Sequence, residues 1–262
     1  MPKVVKALII GDVIGQPGLK ALFAGLGPLV RSTGATLVIA NGENAQAGFG
    51  IGKEEVSKLF SIGVQVITSG NHVWEKPGAA DLLEGTQRLI RPANYPPGAP
   101  GKGMALLEAG GARWAVINLQ GREGMYPIDC PFRKADELVA QVSESAPGSL
   151  VVVDFHAESV EEKEALAYHL DGRVSALAGT HTHVQTADER ILPQGTGYLS
   201  DVGMTGPDDS VIGVKAEICV RRGLSQMPIK METAEGSASI SGALFTIDAE
   251  SGRCLAVERV RA

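Results

Sequence analysis

The chain alternates short apolar runs with amphipathic stretches. KVVKALII (3–10), TLVIA (36–40), VQVIT (64–68), SLVVVDF (149–155) and VSALAGT (174–180) are near-continuous segments of strand length, rich in Val, Ile, Leu and Ala. Such runs predict strands covered on both faces, because a strand with one wet face alternates apolar and polar positions instead. Between them, LKALFAGLGPLVRS (19–32), GKEEVSKLFSIG (52–63), AADLLEG (79–85), FRKADELVAQVSES (132–145) and EEKEALAYHL (161–170) carry apolar residues at helical spacing and predict helices. MALLEAG and RWAVINLQ predict a hairpin or neighbouring strands, and SISGALFTIDAESGRCLAVERV predicts a closing hairpin around Glu250, Ser251 and Gly252. GREGMYPIDCP and GYLSDVGMTGP predict loops, while VIGVKAEICVRR is compatible with helix or strand. The alternation predicts an α/β fold, and the lack of any repeat, low-complexity tract or linker predicts one domain over residues 1–262.

Composition narrows the class. A chain of 262 residues, 44% hydrophobic and 21% charged, can bury a sizeable core. Its net charge of −6 argues against wrapping a nucleic-acid polymer, since that mode needs a basic face to displace counterions. A small anionic ligand remains compatible. Cys130, Cys219 and Cys254 are odd in number, far apart and in no C-x-x-C spacing, so neither a disulfide framework nor a zinc ribbon is predicted and the reducing cytoplasm fits. The opening MPKVVKALIIGDVIG lacks a small-residue cleavage site, and no stretch approaches the ~20 apolar residues needed to span a bilayer. The expectation is a soluble, unexported protein with no membrane partner.

Potential metal ligands then fall in one kind of place. Asp12 follows KALIIG, Glu43 and Asn44 follow TLVIANG, and Asn71 and His72 follow VQVITSG; His156 ends SLVVVDFH, and His181 and His183 follow VSALAGT. In open α/β sheets the ligand crevice lies beyond the carboxyl ends of the strands, so groups far apart in sequence can converge there. Of the five histidines, only His169 stands apart, on the edge of the helix EEKEALAYHL. Imidazole, carboxylate and amide donors suit iron, manganese or zinc, while the lack of nearby thiolate argues against a structural zinc site. Asp12, Glu43, Asn44, Asn71, His156, His181 and His183 are too many for one ion and suit two, if one carboxylate bridges them and water fills the remainder. Two carboxylates against two divalent ions leave net positive charge, which attracts phosphate.

The order G-D, NGEN, GNH, an isolated His after a strand, and G-T-H-T-H resembles the calcineurin-like metallophosphoesterase superfamily, whose signature runs D-x-H, G-D-x-x-D, G-N-H-[DE], H and G-H-x-H. The chain departs from it at Ile14, where the first-motif His is missing, at Glu43 in place of the usual bridging Asp, and at Val73 after GNH. GDVIGQPG, NGENA, SGNHVW, RPANYP, DFHAE and GTHTHVQTAD together resemble the YmdB-like branch, whose members are cyclic-nucleotide phosphodiesterases. The resemblance implies a metallophosphoesterase-like core of two packed β-sheets flanked by helices, a four-layer α/β/β/α sandwich. It also implies two transition-metal ions, iron first, with manganese or zinc as alternatives. By position, Asp12, Asn44 and His183 resemble the ligands of the first ion, Asn71, His156 and His181 those of the second, and Glu43 the bridge. The superfamily mechanism implies attack by a metal-bridging hydroxide, with His72 resembling the proton donor.

Each residue has a plainer rival. A histidine after a strand is often only a hydrogen-bonded structural group, and Asn44 beside a glycine also suits a turn. Gly11, Gly15 and Gly18 have the spacing G-x-x-x-G-x-x-G, not that of a dinucleotide loop, and read as turn glycines. Trp74, Tyr95 and Tyr126 are candidates to stack a base or simply to pack, Arg122 to grip phosphate or sit in solvent, and the run EEKE reads as a solvated helix face. The reading is a dimetal-dependent phosphodiesterase for cyclic nucleotides, 2′,3′-cyclic ones first, with a small-molecule phosphate ester as partner and homo-oligomerisation left open. The alternatives are a phosphomonoesterase or nucleotidase with the same centre, and a non-catalytic metal-dependent regulatory protein.

Overall fold

The computed structural model describes residues 3–262. Strand β1 (Val4–Ile10) leads through the short β2 (Asp12–Val13) into α1 (Gly15–Thr33), β3 (Leu37–Asn41), α2 (Lys53–Ser61), β4 (Val66–Thr68) and α3 (Ala79–Gly85). A hairpin of β5 (Met104–Ala109) and β6 (Ala112–Gln120) precedes α4 (Pro131–Ser145), β7 (Leu150–His156), α5 (Val160–Leu170) and β8 (Ala176–Thr180). The short strands β9 (Arg190–Ile191), β10 (Gly197–Leu199) and β11 (Met204–Pro207) follow, then α6 (Ala216–Ser225), β12 (Ala238–Ser239) and the closing hairpin of β13 (Ser241–Asp248) and β14 (Cys254–Arg261).

One sheet has the order β14-β13-β1-β3-β4, a second the order β5-β6-β7-β8-β10-β9, and β12-β11-β2 form a small third sheet. The apolar runs are continuous because both faces of each central strand are covered. In β1, Val5, Ala7 and Ile9 join Trp114, Val116, Val152 and Ala178 in the core between the two large sheets. Its alternate residues, Leu8 and Ile10, pack with Leu22 and Leu26 of α1 and Leu59 of α2 on the outer face. The second sheet repeats the arrangement, with Ile117, Val153 and Leu177 meeting Val139 of α4 and Leu166 of α5. The result is a four-layer α/β/β/α sandwich, as the family resemblance implied.

Two readings of the backbone need correction. GYLSDVGMTGP is not all loop, since it holds β10 and β11, and β10 pairs in parallel with β8. Its glycines disguise strands that need close approach: a β-carbon at Gly197 would press on Cys254 and Phe245. Gly18 is no turn residue but lies inside α1, where a β-carbon would collide with the Thr205 carbonyl of β11. Gly15 does turn the chain into α1, with φ 54°. The ambiguous stretch VIGVKAEICVRR resolves into a tight bridge between Val211 and Val214 followed by α6. Among the described residues, no helix is long and apolar enough to cross a membrane.

Candidate functional site

Strands β1, β3 and β4 run parallel in the first sheet, as do β7 and β8 in the second, so their carboxyl ends open on one edge of the sandwich. Asp12 starts β2 just beyond β1, Glu43 and Asn44 follow β3, Asn71 and His72 follow β4, His156 ends β7, and His181 and His183 follow β8. All the residues singled out as metal ligands gather there.

Four of them close on one point. The Nε2 atom of His156 lies 3.0 Å from Glu43 Oε1, 3.0 Å from Asn71 Oδ1 and 3.0 Å from His181 Nδ1. Glu43, His156 and His181 each offer a ligand atom within 4.8 Å of the others. Beside this cluster, Asn44 Nδ2 lies 3.3 Å from both Glu43 Oε1 and His183 Nε2, and His183 Nε2 is 3.8 Å from Asp12 Oδ1. The turn that delivers the two histidines is strained, with His181 at φ 106° and His183 at φ 66°. Left-handed backbone at non-glycine residues persists only where the surroundings over-determine it, and such residues cluster at functional sites.

The electrostatics fit a cation. Asp12 and Glu43 are both fully buried, and burying an uncompensated carboxylate is expensive. Burial pushes Asp12 above the usual carboxylate range. Burial works against ionised Glu43 too, yet contact with His156 overrides it and holds the carboxyl at about 2. Against the same burial, Glu43 and Asp12 lift His156 to about 9, while burial and the neighbouring His156 drive His181 down to about 3. Asp12 Oδ1 and Asn44 Oδ1 are buried with no hydrogen-bond partner among the described residues. Buried polar atoms are nearly always satisfied, and two orphaned oxygens beside an imidazole are what a cation site leaves when only protein atoms are counted.

Other residues hold these groups and were not legible beforehand. His156 Nδ1 lies 2.9 Å from Thr180 Oγ1, which donates at 2.8 Å to buried Asp154, and Asn41 Nδ2 lies 3.3 Å from the same ring nitrogen. Partners of this kind fix a ligating imidazole's tautomer and orientation. A β-carbon at Gly70 would overlap the His156 ring and the Glu43 carboxylate. The run EEKE is not a solvated face. Glu162 is buried and accepts from the backbone N–H of Arg122 at 2.9 Å, and Lys163 is buried against Asp201 at 2.9 Å. Asp201 also accepts from Thr182 N at 3.0 Å and Thr182 Oγ1 at 2.8 Å, anchoring the histidine turn. Asp154 sits two residues before His156 on the same strand, a placement that marks it only once the pairing with Thr180 is known.

A cavity of about 340 Å³ opens on Glu43, Asn44, His72, His181 and His183. The His72 backbone N–H donates to Glu43 Oε2 at 3.1 Å, its Nδ1 lies 3.5 Å from Glu75 Oε1, and its ring meets Phe49 edge-to-face. Trp74 and Tyr95 pack on each other, 5.5 Å between ring centroids, against the outer core. Tyr126 is exposed and lines a neighbouring cavity with Asn71 and His181, and Arg122 is exposed. His169 stands outside the site, 2.9 Å from Asp136 on the α4–α5 surface.

The family model for YmdB-like protein matches residues 8–260. The 2′,3′-cyclic-nucleotide 2′-phosphodiesterase of Bacillus subtilis (strain 168) is 43% identical over 256 residues, covering 98% of this chain and 96% of the relative. A crystal structure of a novel phosphatase from Mycoplasma pneumoniae matches with TM-score 0.93 and 32% identity, covering 100% of this chain and 94% of that one. The crystal structure of a hypothetical protein from Thermus thermophilus matches with TM-score 0.91 and 41% identity, covering 98% of this chain and 99% of that one. With its fold, its donor cluster and matches along nearly its whole length, the chain belongs to the YmdB-like family of calcineurin-like metallophosphoesterases.

Proposed function

We propose that the protein is a dimetal-dependent phosphodiesterase that hydrolyses 2′,3′-cyclic nucleotides. The observation that carries the reading is the convergence of buried oxygen and imidazole donors around Glu43, with Asp12 Oδ1 and Asn44 Oδ1 left without protein partners among the described residues. Asp12, Asn44 and His183 would hold one ion, Asn71, His156 and His181 the other, and Glu43 would be shared. The all-N/O donor set suits iron, with manganese or zinc as alternatives. When bound, two such ions neutralise phosphoryl oxygens and bring water to nucleophilic strength near neutral pH.

The chain's own residues supply the rest. Glu43 accepts from the His72 backbone N–H and thereby fixes that residue against the centre, and Glu75 orients the ring through Nδ1. Nε2 is then the ring nitrogen left to pass a proton to the departing ribose oxygen. An alkoxide is a poor leaving group, so a placed acid speeds its departure, in diester and monoester cleavage alike. The Bacillus subtilis relative, by its name, acts at the 2′ position of such a diester. The Mycoplasma pneumoniae structure is named a phosphatase, which supports a second reading in which the same centre cleaves monoesters.

A panel of 2′,3′-cyclic nucleotides, 3′,5′-cyclic nucleotides and nucleoside monophosphates, offered to the metal-replete protein, decides between them. Turnover of the 2′,3′-cyclic compounds, with far slower turnover of the others, is the expected result. Turnover of monophosphates alone replaces the first reading with the second.

A further inference from the structure

We propose that the apolar lining of the cavity beside the histidines seats the substrate's nucleobase, with Phe49 and Met231 as its main contacts. The inference rests on the phosphodiesterase reading above. The cavity lining is of two chemical kinds: His72, Asn44 and His183 are polar, and Phe49, Ile212, Val214 and Met231 are apolar. Ligand pockets typically combine such an apolar body with a few convergent polar groups, and occupy roughly 300–1,000 Å³. At about 340 Å³ this one suits a single mononucleotide.

The apolar lining is tied to the chemistry by contact. The Phe49 ring centroid is 5.0 Å from that of His72, so a base resting on Phe49 keeps its ribose beside the proton donor. Ile212 has φ 50°, a left-handed backbone unusual for a β-branched residue, and its carbonyl lies 2.8 Å from His183 Nδ1. One strained residue thus orients a centre histidine and belongs to the apolar lining. Val214 pairs with both Val211 and Thr233, which holds this part of the lining in place.

Charge points the same way. Among the described residues no lysine or arginine lines the cavity, while Glu43 and Glu158 do. Substrate charge beyond what the two cations neutralise therefore meets no basic partner, which disfavours an oligonucleotide with its several phosphates. The base is held by contact area and stacking. Stacking on an aromatic side chain tolerates any base, because every base has a π-face.

The experiment compares, within each holoenzyme, kcat/KM for 2′,3′-cyclic AMP with kcat/KM for glycerol 1,2-cyclic phosphate, which has the reactive ring and no base. Loss of one stacking contact predicts that Phe49→Ala lowers this ratio about fivefold to a hundredfold. If Phe49→Ala does not fold, Met231→Ala is judged by the same ratio. An unchanged ratio overturns the seat, and so does a fall confined to Tyr126→Ala, which would place the base in the neighbouring cavity. A wild-type protein active on 2′,3′-cyclic AMP, with an unchanged ratio in the variants, sinks the seat alone. A wild-type protein inactive on every 2′,3′-cyclic nucleotide sinks the underlying reading and the seat with it.

Discussion

Each histidine of the centre is aimed by the partner of its other nitrogen. His183 is held through Nδ1 at the Ile212 carbonyl, His156 through Nδ1 at Thr180, and His181 has Nε2 3.3 Å from Glu158, which leaves the opposite nitrogen for the centre in every case. His72 lines the cavity together with His181 and His183 but differs from them in sitting outside the donor cluster. Its replacement by alanine should leave metal content intact while turnover falls about 10²–10⁴-fold, as read by elemental analysis beside steady-state kinetics. Gly70→Ala should instead lose metal, and turnover with it, since its β-carbon overlaps His156 and Glu43. The imidazoles and carboxylates were legible in the sequence because such groups directly after buried runs need a reason to be there. Phe49 was not, since an aromatic near a loop packs against protein far more often than against a ligand.

Element by element, the strands were legible where an apolar run of five or more residues marks them and the helices where one face is covered, whereas the short β10 and β11 were hidden by their glycines. What escaped was the polar traffic between them. Lys163 belongs to a helix that reads as amphipathic, and Asp201 to a glycine-rich stretch that reads as loop; together they form a buried ion pair that anchors the histidine turn at Thr182. Breaking one side of such a pair leaves an uncompensated buried charge and costs about 3–5 kcal/mol. Asp201→Asn should therefore lower the urea midpoint markedly and reduce metal retention by the left-handed turn. The double variant Lys163→Met/Asp201→Asn should recover much of the stability, and recovery of the midpoint without metal retention would assign Asp201 to holding the turn. A midpoint unmoved by Asp201→Asn would show that the pair contributes nothing.

At the scale of the whole molecule, the centre lies where the two sheets meet, so ions bound there join both halves of the sandwich. Ligands that bind only the folded state stabilise it by mass action, about 2.7 kcal/mol at a hundredfold excess over Kd. Exhaustive chelation should lower Tm, and restoring iron or manganese should raise it again; a Tm indifferent to chelator would count against a buried site between the sheets. The family resemblance covered nearly the full chain, and the four-layer order followed it, as did the gathering of the residues it singled out at one edge of the sandwich. The sequence by itself determined the long strands, the helices α1 to α5 and which donors stand at strand ends, because periodicity and residue chemistry are local properties. Only the tertiary structure decided that Glu162 and Lys163 turn inward, that Gly18 lies inside a helix against β11, and that Phe49, Ile212 and Met231 line one cavity. Those facts depend on which surfaces meet, and meeting is a matter of distance in space that no local pattern along the chain encodes.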